Sequence, residues 1–94
     1  MIRHIVFWKF KAGEEENVRL FLGGLQKLQG IIPEIRHMEI GRNCNPNNAF
    51  DAVLVSDFAS MEDLERYKNH PEHVKVSALC KQIRLDRQAI DYEI

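Results

Sequence analysis

The chain has 94 residues, which suits one domain with a modest core, burying a little over ~60% of its unfolded surface. Its 13 basic and 14 acidic side chains are well mixed, for a formal net charge of −1. No basic stripe points to nucleic acid and no acidic block to a disordered tail. Phe7 and Trp8 raise the idea of a stacking platform for RNA, but the Gly- and aromatic-rich octamer of an RNA-recognition sheet is missing.

Residues 2–11 predict a strand. Ile2, His4, Val6, Trp8 and Phe10 fall on one face, and Ile5 and Phe7 on the other. Apolar groups on both faces predict a strand covered from both sides. Ala12-Gly13 breaks it. Glu14, Glu15 and Glu16 then open a helix over 14–29, where the helix dipole favours carboxylates. Val18, Phe21, Leu22, Leu25 and Leu28 form its apolar stripe, and Gly30 and Pro33 are expected to end it. Gly23-Gly24 inside this helix fits either close approach of another segment or tolerance on an exposed face.

Residues 35–42 predict a second strand, with Met38 and Ile40 on one face, and Asn43 to Asn48 a turn-rich loop. Residues 50–58 predict a third strand, with Phe50, Ala52, Leu54 and Phe58 on one face and Val53 and Val55 on the other. Ser60 is a suitable N-cap, with Asp63 three residues on, for a short helix to about Asn69. Pro71 suits a first helical position, so another helix begins at His70 or Pro71 and ends near Lys81. Val74, Ala78 and Leu79 are its expected inner face. Residues 84–93 predict the last strand, with Ile90, Tyr92 and Ile94 on one face.

The order β-α-β-β-α(α)-β is an α+β, ferredoxin-like arrangement: one four-stranded antiparallel sheet with helices on one face. Those helices leave Ile5, Phe7, Val53 and Val55 uncovered. A second copy of the same sheet about a two-fold axis would cover them, so a homodimer is expected. Cys44 and Cys80 are not in a CxxC and are expected to be free thiols. The longest apolar run near the start, Ile5 to Trp8, is too short for a membrane span or signal-peptide core, so a cytoplasmic protein without membrane association is expected.

Four histidines, His4, His37, His70 and His73, are the most chemically telling residues. His70 and His73 lie three apart at a helix start and can share a side, which makes them a candidate metal pair with His4 as third ligand. The structural alternative is that one caps the helix and the other is a partly buried polar group. Tyr67 with a nearby histidine can instead form a proton relay, the imidazole acting as general base and the phenol donating to a carbonyl oxygen.

The stretch Ser60 to Val74, above all Tyr67-Lys68-Asn69-His70-Pro71-Glu72-His73, resembles the stress-responsive α/β-barrel (Dabb) family. Ile2 to Lys11, Ile31 to Ile35 and Asp91-Tyr92-Glu93 are similar to the family's opening strand, mid-chain turn and last strand, so the resemblance spans essentially the whole chain. It implies a dimeric α+β barrel. A plant member of the family is a polyketide cyclase working by aldol condensation without a redox cofactor. The resemblance maps its catalytic pair onto Tyr67 and His73 and a pocket histidine onto His4. A further pocket histidine of that member falls at about Ala52 here, so the cyclisation itself is not carried over. Plant members also imply Mg2+ held by backbone carbonyls, at Gln29, Ile32 and Ile35 in this chain.

The functional expectation is a cofactor-independent enzyme or binder for a small carbonyl-bearing or aromatic molecule. Its pocket lies between sheet and helices, floored by Trp8 and Leu54. The alternatives are a non-catalytic, stress-related dimeric scaffold and a cofactor-free monooxygenase or isomerase on the same fold.

Overall fold

In the computed structural model, which describes residues 1–94, the expected elements form in the expected order. The strands are β1 (Ile2–Phe10), β2 (His37–Arg42), β3 (Ala52–Phe58) and β4 (Arg84–Glu93). The helices are α1 (Glu15–Lys27), α2 (Met61–Asn69) and α3 (Pro71–Ile83). The sheet order is β2-β3-β1-β4 and every pairing is antiparallel, which is the ferredoxin-like topology.

Register follows the two-faced pattern of the strands. Val6 pairs with Leu54, and Leu54 with Ile40, on the side the helices cover. Ile5 pairs with both Val55 and Ile90, and Phe7 with Val53, on the opposite side. The covered side is the core. Val6, Trp8, Leu54 and Phe58 meet Val18, Phe21, Leu25 and Leu28 of α1 and its following turn, all of them buried. On the open side Phe7, Ile90 and Tyr92 remain 38%, 57% and 42% exposed.

Several boundaries and facings differ from expectation. The second strand starts at His37 rather than Ile35, and the third at Ala52 rather than Phe50. Phe50 belongs to the loop and packs on Phe7 at a centroid distance of 6.0 Å, so it sits with the open face rather than with Leu54. Ile94 lies just beyond β4. α1 does not end on a left-handed glycine. It tightens into a 3-10 turn at Leu28–Gly30, and the Leu28 carbonyl accepts the amides of Ile31 and Ile32. Gly13, with φ +82°, is the only position that needs glycine's conformational freedom, at the corner from β1 into α1.

The largest difference is the phase of α3. Val74 and Ala78 point outward, while Cys80 and Ile83 are buried and His73, Val76 and Ser77 are half-buried. The inward apolar set is Val76, Leu79, Cys80 and Ile83, and His73 and Ser77 flank it where the helix borders a cavity. Leu79, half-buried, does pack against the core.

Gly24 lies against α3, and a Cβ there would stand 3.3 Å from a methyl of Val76, whereas Gly23 faces open space. Gly23→Ala is therefore expected to stabilise the fold by about 0.5–1 kcal/mol in thermal or urea unfolding. Gly24→Ala should gain less, because Val76 must give way.

Candidate functional site

The site is built by the break between α2 and α3. Ser60 Oγ accepts the Asp63 amide at 3.1 Å and starts α2. Pro71 disfavours helical geometry at the residue before it, and His70 is extended (φ −63°, ψ 134°), so α2 stops at Asn69. His70 Nδ1 accepts the Glu72 amide at 3.1 Å, which makes His70 the N-cap of α3 with Pro71 in the first turn. That role takes His70 out of any metal pair with His73. No three His, Cys, Asp or Glu side chains cluster as metal ligands anywhere in the chain.

The same break brings the last turn of α2 against the first turn of α3. Tyr67 and His73 meet with ring centroids 4.5 Å apart. His73 Nδ1–H donates to the Lys68 carbonyl at 3.0 Å, one of the carbonyls that the end of α2 leaves unpaired. His4 comes from β1 and is buried. Its Nδ1–H donates at 2.5 Å to Asp91, its register partner on β4. Its ring lies edge-on to Tyr67, with centroids 6.4 Å apart. Phe58 closes the other side of Tyr67 at 5.0 Å.

Burial governs the protonation of all three. It pushes the Tyr67 phenol well up, so the group stays a proton donor at any physiological pH. It lowers His73, an effect the bond to the Lys68 carbonyl opposes, and lowers His4 against the pull of Asp91. Both imidazoles are therefore neutral near pH 7. With each Nδ1–H given to an acceptor that cannot donate, each Nε2 is an unprotonated base. The Tyr67 hydroxyl is buried and has no hydrogen-bond partner in the protein.

A histidine whose folded-state pKa lies below its unfolded value binds fewer protons folded than unfolded. Its contribution to stability is complete above about pH 6.5 and falls as pH drops below that value toward the lowered folded pKa. Chemical denaturation should show stability decreasing from pH 7 to pH 5, with a shallower slope in His73→Gln. An unchanged slope would mean that His73 is not desolvated in solution.

His4, Trp8, Leu54, Tyr67 and His73 all line one partly open cavity of about 300 Å³ between β1, α2, α3 and the start of β4. Sequence reasoning missed the rest of the lining. Ser77, Cys80 and Arg84 follow His73 at helical spacing, a stripe readable in the sequence but not apolar. Arg87 enters from β4, and Asp91, which orients His4, is reached only through strand register. The cysteines are free, Cys44 exposed and Cys80 buried.

The predicted backbone-carbonyl residues lie elsewhere, in the turn after α1. Neutral carbonyl oxygens are suitable donors for a hard cation. The Ile32 carbonyl already accepts the Ile35 amide at 3.2 Å, which leaves it one lone pair for such an ion.

Fold and cavity together define a small ferredoxin-like α+β protein in which Tyr67 and His73 border a partly open cavity between sheet and helices. The family model for the stress responsive A/B barrel domain matches residues 2–94, and the chain belongs to that family, Dabb. The chain is 26% identical over 98 residues to the Arabidopsis thaliana stress-response A/B barrel domain-containing protein DABB1, a match that takes in 98% of the chain. The chain spans about half the length of that relative, 46%. Among solved structures, a dimeric ferredoxin-like protein of unknown function from Bacteroides fragilis is 31% identical, with a TM-score of 0.89 covering 99% of this chain and 95% of that one. A hydroxynitrile lyase from Passiflora edulis shares the fold at 21% identity and a TM-score of 0.88, covering 99% of this chain and 92% of that one. No helix is long and apolar enough to cross a membrane.

Proposed function

We propose that the chain forms a homodimer and that each protomer binds and transforms a small carbonyl-bearing or aromatic molecule without a redox cofactor. In this reading His73 Nε2 is the general base, the Tyr67 hydroxyl donates to a carbonyl oxygen, and the ligand rests on His4, Trp8 and Leu54. The observation that carries it is the Tyr67 hydroxyl, buried beside an unprotonated imidazole and without a partner. A buried donor left unpaired costs about 1–3 kcal/mol, and a ligand oxygen would relieve that cost. The fold also serves a lyase, so the scaffold accommodates enzymes.

The homodimer rests on the open apolar face and on the dimeric Bacteroides relative. Screening small aromatic aldehydes and ketones against wild type and His73→Ala by calorimetry tests the site. Binding or turnover lost in the variant, with the fold intact by circular dichroism, supports it. If nothing bound depends on His73, the second reading takes over: a non-catalytic dimeric scaffold, favoured by the same open face.

The proposal includes Mg2+ at the Gln29, Ile32 and Ile35 carbonyls, away from the cavity and outside the chemistry. Magnesium at 100 times its dissociation constant would then stabilise the fold by about 2.7 kcal/mol, read as a rise in Tm. No rise at millimolar magnesium would remove this part.

A further inference from the structure

We infer that the cavity selects an anionic ligand, a single aromatic ring bearing a carboxylate. The inference rests on the proposed site and names its substrate class. Lys68, Lys81, Arg84 and Arg87 all border the cavity, and no carboxylate does. Of the five arginines elsewhere on the molecule, Arg3, Arg19, Arg42 and Arg66 each reach an Asp or Glu, and Arg36 does not. Among the four cavity cations only Lys68 has an ionic partner, Glu65, at the long distance of 3.8 Å. The nearest acid along β4 on the same side, Asp91, is taken by His4. Asp86 is occupied by the backbone amide of Arg87.

Cations gathered at one concave site without counter-charge repel one another, and a bound anion removes that repulsion. Two arginines present the planar donor pairs that suit a carboxylate. The lining also includes Val6, Trp8, Phe21, Leu25 and Leu54, an apolar set that suits the face of a ring. A volume of about 300 Å³ is at the small end for ligand pockets, room for one substituted ring and little more. Tyr67 borders the same space, and its buried, unpartnered hydroxyl is a donor that a second oxygen of the same ligand would satisfy.

The test compares 2-hydroxybenzoate with its neutral amide, 2-hydroxybenzamide, and with phenyl phosphate, by calorimetry on the full chain. Wild type should bind the carboxylate at least about tenfold more tightly than the amide, since hydrogen bonds to charged groups exceed neutral ones by roughly that factor. The double variant Arg84→Gln/Arg87→Gln should weaken carboxylate binding about tenfold or more and erase the preference over the amide. Lys81→Gln, at an exposed helix position, should narrow it alone and serves if the double variant fails to fold. Equal affinity for acid and amide, or a preference that survives these variants, overturns the inference. Tighter binding of phenyl phosphate than of the carboxylate overturns the carboxylate assignment. If the amide binds in a Tyr67-dependent way without any preference for the acid, the proposed site stands and only its charge selectivity falls. If none of the probes binds at millimolar concentration, the inference falls, and the aldehyde and ketone screen alone decides the proposed site.

Discussion

Val53→Asp is expected to turn the proposed dimer into a monomer. Val53 stands on β3 with Phe7 on one side and Gly41 on the other, on the face that the helices leave uncovered. Burying an ionised carboxylate without a partner costs several kcal/mol. A two-fold interface contains the substitution twice. Association should therefore weaken by about a thousandfold or more, since each 1.4 kcal/mol is tenfold. The monomer should keep its fold, because the core contact at this point of β3 is made by Leu54 on the other face. Sedimentation or light scattering behind size exclusion reads the result. A dimer that persists in the variant at micromolar concentration places the interface elsewhere, and a monomeric wild type removes the homodimer altogether.

The second large effect comes from one oxygen atom. Tyr67→Phe deletes a hydroxyl that is buried without a partner, so the ligand-free protein should be as stable as wild type or more so, by up to about 1 kcal/mol. Ligand affinity or turnover should fall about tenfold to a hundredfold, the usual scale for losing a positioned acid or hydrogen-bond donor. Stability and function moving in opposite directions separates this reading from a structural role. Loss of about 1–2 kcal/mol in the unliganded variant would mean that the hydroxyl has a partner inside the protein, and the main support for the site would vanish. His73→Ala does not discriminate as well, because it also frees the Lys68 carbonyl at the end of α2.

Much of the site was legible because it is made locally. Ser60, His70 and Pro71 act within a few residues, through capping and the restricted backbone at proline, and they set the helix break that brings Tyr67 beside His73. The surroundings of the site were not legible in this way. The partnership of His4 with Asp91 joins residues 87 apart in sequence and exists only once β1 and β4 are in register. Arg84 and Arg87 reach the cavity through the phase of α3 and the alternation of β4, and no short-range pattern marks them as a pair.

By itself the sequence determined the order of elements, the two-faced strands and the helix break, since period, capping and proline geometry act over one or two turns. Only the tertiary structure decided which side of α3 turns inward. Its apolar residues Val74 and Ala78 argued for one side, and the assembled molecule uses the other. The reason is that α3 carries apolar residues on more than one side, and only contact with the rest of the molecule selects the set Val76, Leu79, Cys80 and Ile83. Its inward side follows the packing of Val76, Cys80 and Ile83 on α1 and the sheet, and it brings His73, Ser77 and Arg84 to the cavity lining.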